Sequence, residues 1–136
     1  MDQDFTKLGK PVNRPSKELD TFPKPENVTT VQFASDELTS HCPITGQPDF
    51  NRVVIEYRPD RICVESKSLK LYLWTFRDEK IFGEGLADTI ARDLFNRLQP
   101  FSCRVTLVQN IRGGLQMTAV AEIHRGGPHK SSSSGS

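Results

Sequence analysis

This sequence of 136 residues lacks several features that mark common classes of protein. Its 18 Lys and Arg residues balance 17 Asp and Glu, and a net charge of +1 predicts no attraction to nucleic acid or to a membrane surface. No apolar run approaches the roughly 18 residues of a membrane helix, and the first residues form no signal-peptide pattern. The three cysteines have no CxxC spacing and cannot all pair, so we expect free thiols, a cytoplasmic location and no metal site.

The length predicts one domain between two polar ends. Residues 1–27 hold four of the nine prolines and many charges, and we interpret them as an extended N-terminal arm. Residues 28–126 form the predicted single catalytic domain. Residues 127–136 end in a serine-rich run, which is typical of a flexible C-terminal tail.

Hydrophobic periodicity predicts the order strand, strand, helix, helix, strand, strand. Strand-forming residues are concentrated at 28–33, 53–57, 103–109 and 117–123, whereas apolar residues recur at helical spacing over 69–76 and 82–98. We therefore expect an α+β fold, with an antiparallel four-stranded sheet that carries both helices on one face. Such a sheet has two open edges, which favours pairing with identical subunits into a larger barrel.

The segment from Cys42 to Asp49 carries the clearest chemical signal. Pro43 biases Cys42 toward an extended backbone and Gly46 permits a reversal, so we expect a loop that brings the thiol and the carboxyl group together. A thiol beside a proton donor is typical of covalent catalysis with general acid assistance. The other two cysteines lie in apolar segments, which predicts buried structural thiols.

Two further groups of polar residues could bind a ligand. Lys67 and Lys70 share a face at the predicted start of the first helix, where free N–H groups attract phosphate, although a lysine pair on a helix is often only a solvated face. Tyr72 follows them and could stack on a ring. Glu84 opens the second helix, where its carboxylate could accept hydrogen bonds from a guanine-like base or simply complement the helix dipole.

The last candidate is the turn formed by Arg112, Gly113 and Gly114. It is either a plain hairpin turn or a turn that presents a cation to an anionic ligand.

Three of these segments resemble one known family, the QueF family of NADPH-dependent 7-cyano-7-deazaguanine reductases of queuosine biosynthesis. They are CPITGQPDF at 42–50, VESKSLKLY at 64–72 and RGG at 112–114, and the resemblance covers roughly residues 28–124 in the short single-module form. It implies the tunnelling fold (T-fold), in which ββααββ subunits join edge to edge into barrels that stack as rings. It also implies a small-molecule substrate and no direct contact with nucleic acid or membrane.

The resemblance implies a role for each candidate residue. Cys42 is the nucleophile, which forms a thioimide with the nitrile, and Asp49 is the proton donor. The implied substrate-binding positions are Val64, Glu65, Ser66, Gly83 and Glu84. For NADPH we expect Lys67, Lys70, Tyr72, Arg112, Gly113 and Gly114.

One position departs from the family pattern and keeps other readings open. Family members commonly carry histidine before the base-binding glutamate, where this chain has Gly83, so either that histidine is dispensable or His41 substitutes for it. One rival is a QueF-like amidinotransferase acting on modified tRNA, whose relatives lack the nicotinamide-binding segment that this chain retains. The other is a non-catalytic deazapurine- or pterin-binding protein, which would not need the Cys42 thiol.

Overall fold

A computed structural model describes residues 16–126 of the chain, so the predicted tail and residues 1–15 of the predicted arm lie outside the described residues. A short 3-10 turn over Thr75–Asp78 follows the first helix. The regular elements are β1 (Thr21–Pro23), β2 (Val31–His41), β3 (Pro48–Arg58), β4 (Ile62–Val64), α1 (Ser66–Trp74), α2 (Gly83–Leu98), β5 (Ser102–Arg112) and β6 (Leu115–His124).

The main sheet has four strands in the order β2-β3-β5-β6, and every neighbouring pair is antiparallel. This confirms the predicted α+β class with antiparallel sheets and two helices. The strands β2 and β6 form the two edges. Among residues 16–126, no helix has the length and apolar character needed to cross a membrane.

The core lies between the helices and one face of the sheet. Alternate residues of the central strands, such as Ile55 and Val105, are fully buried, as β-strand geometry requires for a half-covered sheet. They share one cluster with the apolar stripe of α2, in which Leu86, Ile90 and Leu94 recur every four residues. Both helices therefore cover the same face, as the sequence predicted.

A β-bulge interrupts β2 and changes which of its residues face the core. Ser35 pairs with Val53 and Leu38 pairs with Asn51, so β2 contains one more residue than β3 over this stretch. An extra residue shifts the alternation of side chains by one position. As a result, Leu38 and Ser40 are buried beyond the bulge. The sequence predicted that this strand ends at residue 33.

The described part of the predicted arm packs onto the domain. Thr21–Pro23 forms β1 and pairs with β4, giving a second sheet of two strands that the sequence did not predict. Leu19 lies in the core, and its carbonyl oxygen accepts a hydrogen bond of 3.0 Å from Arg97. The boundary at residue 28 stays a prediction, but residues 19–23 contribute contacts to the fold.

A buried tyrosine links the two helices and generates a stability prediction. The Tyr72 hydroxyl donates a 2.6 Å hydrogen bond to Asp93 of α2, and the Tyr72 ring packs edge-on against Phe76. Tyr72→Phe keeps the ring but removes the donor, and it should lower the free energy of unfolding by about 1–2 kcal/mol, measured in urea.

The matched variant is Asp93→Ala, which removes the acceptor of the same hydrogen bond. Because the two residues share one bond, the double variant should lose less than the sum of the single losses. Strict additivity would show that this hydrogen bond does not stabilise the protein.

Candidate active site

The β2–β3 hairpin places the thiol of Cys42 at its tip. His41 pairs with Pro48 and Ser40 pairs with Asp49, so the turn covers only residues 42–47. The Cys42 N–H donates to the Gln47 carbonyl at 2.9 Å, and the Gly46 N–H donates to the Cys42 carbonyl at 2.8 Å. The predicted loop was therefore too long, because pairing with β2 makes Pro48 and Asp49 the first residues of β3.

The turn stabilises the thiolate of Cys42. The backbone N–H of Thr45, then its hydroxyl group, then the backbone N–H of Ile44 lower the pKa of Cys42, while the negative charge of Asp49 opposes this shift. The thiolate is the nucleophilic form of cysteine, and a half-buried position keeps it accessible. In contrast, Cys103 is buried, and desolvation raises its pKa to about 12. The pKa of Cys42 is therefore shifted in the opposite direction to the pKa of the buried Cys103.

Asp49 lies on the core-facing side of β3 and is only 5% exposed. Its carboxylate forms an ion pair with Arg112 of the β5–β6 hairpin. The same guanidinium donates to the Pro48 carbonyl at 3.1 Å and to the side-chain oxygen of Gln47. Cys42, Asp49 and Arg112 are therefore brought together. In this structure its donors bind the β2–β3 hairpin, so Arg112 would contact cofactor phosphates only after leaving that hairpin.

The start of α2 faces the same end of the sheet. Glu84 is exposed in the first turn, and the N-cap residue Phe82 makes no side-chain hydrogen bond. A Cβ at Gly83 would lie 2.3 Å from the terminal methyl of Met117 and 3.0 Å from Nε2 of Gln109. The space of a side chain at position 83 is therefore occupied by these two residues.

Sequence reasoning missed a row of residues below Asp49. Leu38, Asn51, Gln109 and Met117 are paired in register across the four strands. Within residues 16–126, the buried side-chain atoms without a hydrogen-bond partner are Ser40 Oγ, Asn51 Oδ1 and Gln109 Nε2. The sequence does contain a signal for these residues. Asn51 and Gln109 each occupy a position where the alternation along the strand would place another apolar residue, and each carries an amide instead.

The start of α1 is occupied by its own cap. Glu65 caps the helix, because its side chain accepts hydrogen bonds of 2.8 Å from the N–H groups of Lys67 and Ser68. These N–H groups are consequently not free to bind a phosphate. Val64 is also buried, and its N–H donates to the Tyr57 hydroxyl at 2.9 Å. Ser66 remains exposed.

Tyr72 cannot serve as a stacking platform in this structure. Its side chain is 1% exposed and its hydroxyl is engaged by Asp93, because the ring belongs to the core between the helices. Lys70 is exposed on α1 and Lys67 is half-buried, so their side chains remain candidates for an anion. Gly113 and Gly114 have positive φ angles of 59° and 79°, as a tight hairpin turn requires.

One chain does not bring all the predicted site residues together. Residues 64–66 lie at the N-terminal end of α1. The segment after α1 contacts the residue before Cys42, because the backbone of His41 forms hydrogen bonds with the backbone of Glu79 and Ile81. The nine residues of α1 alone span roughly 14 Å at the usual rise of an α-helix. Ser66 lines a cavity with residues 33–37 of β2, whereas Cys42 follows the last residue of that strand, so residues 64–66 lie away from Cys42.

The chain is similar to known proteins over most of its length. The family model described as QueF-like protein matches residues 48–127. The NADPH-dependent 7-cyano-7-deazaguanine reductase of Nitrosospira multiformis is 46% identical over 117 residues, covering 85% of this chain and 84% of the relative. The reductase of the same name from Nitrosococcus oceani is 44% identical over 117 residues, covering 85% and 91%.

A solved structure supports the fold. The apo form of the archaeosine synthase QueF-Like superimposes with a TM-score of 0.67 at 24% identity, covering 71% of this chain and 95% of that chain.

The environment of Cys42 predicts the pH dependence of its alkylation. Because only the thiolate reacts and its pKa is lowered, the iodoacetamide rate should reach half its maximum below pH 9.0. Thr45→Val removes a stabilising hydroxyl and should move this midpoint upward, whereas Asp49→Asn removes an opposing charge and should move it downward. The rates are measured by mass spectrometry of the Cys42 peptide.

Thr45→Ser is the matched control, because it retains the hydroxyl and should keep the midpoint of the unaltered protein. Equal midpoints for the Val and Ser variants would contradict a role for this hydroxyl.

Proposed function

Because this chain belongs to the family of QueF-like proteins, we propose that it catalyses the NADPH-dependent reduction of 7-cyano-7-deazaguanine to 7-aminomethyl-7-deazaguanine. Relatives that are 44–46% identical, and that match most of this chain and of their own length, carry the name of this activity. The observation that carries the proposal is a half-buried thiol of lowered pKa beside a buried carboxyl group.

Cys42 starts the reaction. A nitrile carbon is electrophilic, and the Cys42 thiolate adds to it while one π bond of the C≡N group breaks. Asp49 donates its proton to the nitrile nitrogen, which leaves a thioimide on Cys42 and a carboxylate on Asp49. The N–H groups of the turn lower the pKa of Cys42 and so favour the ionised nucleophile.

Asp49 donates a proton in this step, but in this structure its carboxylate is paired with Arg112. Arg112 therefore moves away from Asp49 in the reacting complex. The neighbouring residues Gly113 and Gly114 have no atoms within 4 Å of a Cβ position, which leaves the turn room to rearrange. Once released, Arg112 is available to an anionic ligand.

Two NADPH molecules, bound in turn, would each supply one hydride; after the first, the C–S bond breaks and releases the Cys42 thiolate, and the second hydride with protons completes the four-electron reduction. The exposed Lys70 and the half-buried Lys67 lie three residues apart on α1, and their positive charges fit the cofactor phosphates. The open backbone at Gly113 and Gly114 allows close approach of a large ligand. Glu84 is exposed at the start of α2, where its carboxylate accepts hydrogen bonds from N1–H and the 2-amino group of the deazaguanine.

The decisive experiment mixes the protein with the nitrile and NADPH and follows the loss of NADPH absorbance. Two NADPH should be consumed per nitrile, and without NADPH the protein mass should increase by one ligand on Cys42. Cys42→Ala should lose both signals because the nucleophile is gone, whereas Cys63→Ala, a change at a buried thiol, should retain both.

Other outcomes identify the rivals. A covalent adduct with no NADPH oxidation indicates an amidinotransferase, and noncovalent binding without either signal indicates a binding protein. Loss of both signals in a folded Cys63→Ala variant would refute Cys42 as the nucleophile.

We further propose that the active site is completed by a second subunit. In one chain Ser66 lies beside residues 33–37 of β2, whereas Cys42 follows the far end of that strand, which favours a site in which residues 64–66 of one copy meet Cys42 of another. The edge strands β2 and β6 offer unpaired backbone groups for joining copies into a T-fold barrel, and such barrels stack as rings. The assembly works in the reducing cytoplasm, which keeps Cys42 free, and it takes the free deazaguanine without contacting nucleic acid.

Subunit complementation tests this arrangement. Cys42→Ala lacks the nucleophile, and Ser66→Trp places an indole at an exposed substrate position at the far end of α1. Each variant alone should be inactive. Unfolding and refolding them as an equal mixture should restore about a quarter of the unaltered activity, because random assembly unites both intact halves in that fraction of sites.

Light scattering of the same samples gives the number of subunits. A monomeric mass, or no recovery in mixed oligomers, would exclude a shared site. Refolding Cys42→Ala alone is the control for any activity gained from the procedure itself.

A further inference from the structure

The unpartnered polar atoms of the fold are concentrated beside Asp49. Ser40 lies opposite Asp49, and Asn51 follows two residues later on the same face of β3. Ser40 and Asn51 are 0% and 2% exposed, yet Ser40 Oγ and Asn51 Oδ1 have no hydrogen-bond partner. A buried polar atom without a partner is costly, and such atoms in native proteins commonly bind water or a ligand.

Asn51 and Gln109 supply complementary groups. They are paired directly across β3 and β5, and their side chains share the face that looks toward the helices. Asn51 donates from Nδ2 to the Leu38 carbonyl at 3.2 Å, which fixes its amide and leaves Oδ1 as an acceptor. Gln109 Nε2 carries two hydrogens and has no partner. The two amides do not bond each other in this structure, and a rotation of the Gln109 side chain toward Asn51 Oδ1 would engage one hydrogen and leave the second for a ligand.

The Gln109 amide also lies against the start of α2. Its Nε2 atom is 3.0 Å from the position that a Cβ of residue 83 would take, and Glu84 is the next residue of the helix. Gln109 therefore stands between two proposed substrate-binding groups, with Glu84 on one side and the β3 segment of Asn51 and Asp49 on the other. A larger residue at position 83 would displace this amide.

Resting on the proposed function, we infer that Gln109 is a specificity-determining residue that donates a hydrogen bond to the 6-oxo group of the substrate, and that Asn51 is the positioning residue for its amide. The order of groups on the protein matches the order on the ligand. Glu84 receives N1–H and the 2-amino group, Gln109 meets the adjacent 6-oxo group, and Asp49 serves the neighbouring nitrile. Substrate binding thus supplies a hydrogen-bond acceptor to the buried Nε2 atom of Gln109, which otherwise has no partner.

The test compares two ligands in the Cys42→Ala background, in which no covalent adduct forms. The ligands are 7-cyano-7-deazaguanine and its 6-thio analogue, which retains N1–H and the 2-amino group but presents a weaker acceptor. Calorimetry should give about tenfold tighter binding of the oxo ligand, since a good hydrogen bond to a buried donor is replaced by a poor one. Adding Gln109→Met, which keeps the size but removes the donor, should reduce this preference to less than about twofold.

Two further variants separate recognition from packing. Gln109→Glu has the shape of glutamine with an acceptor in place of the donor, so it should weaken the oxo ligand more than Gln109→Met does. Asn51→Leu should reduce the preference for oxygen without abolishing it, because Gln109 remains. Gln116→Met, at an exposed glutamine of β6, is the matched control and should leave the preference unchanged.

The results distinguish a failure of the inference about Gln109 from a failure of the proposed function. An unchanged preference for oxygen in folded Gln109→Met overturns the inference, and it means that Gln109 and Asn51 satisfy only each other. Failure of the oxo ligand to bind the Cys42→Ala protein at all overturns the proposed function, and the inference with it. A preference that disappears only with Gln109 variants supports both.

Discussion

The pairing register between β2 and β3 is the constraint on which the active site depends. It sets Ser40 opposite Asp49 and closes the turn over residues 42–47, so the thiol and the carboxyl group are held at one end of the sheet. The bulge between Ser35 and Leu38 is part of this constraint. Because side chains alternate along a strand, one residue fewer in β2 would turn Ser40 away from the core face that Asp49 occupies.

The core-facing side of the sheet changes character along its length. At one end, Ile55, Tyr57 and Val105 pack against the helices in an apolar core. At the other end, the same alternation continues with Asn51 and Gln109, whose amides have unpaired buried atoms. The apolar end stabilises the fold through burial, while the polar end keeps groups that only a ligand or water can satisfy. A division of this kind allows a small domain to be stable and still present a reactive site.

The sequence was most informative where the signal is local. Helical spacing predicted α2 well, because the spacing of its apolar residues depends on neighbours within a few positions. Strand β2 extends to His41, beyond the predicted end at residue 33, since the bulge and its polar residues hide the alternation. The three-residue strand β1 contains a proline and carries too short a pattern to be recognised.

Residue roles that depend on long-range contacts were harder to predict. Tyr72 was expected at the cofactor, but packing against Phe76 and a bond to Asp93 place it in the core. Arg112 is more than 60 positions from Asp49 in the chain, so their ion pair has no local signal. Cys42 and Asp49 were predicted because a single hairpin contains both, which makes their proximity a local property.

The close approach of Met117 and Gln109 to Gly83 has an evolutionary consequence. Three positions on α2, β5 and β6 share one small volume, so the effect of a substitution at any of them depends on the residues at the other two. A lineage that gains a side chain at position 83 must move the terminal methyl of Met117 and the Gln109 amide, and both atoms end flexible side chains. Substitutions at these sites are therefore expected to be coupled, with Met117 able to accommodate a neighbour by changing its rotamer.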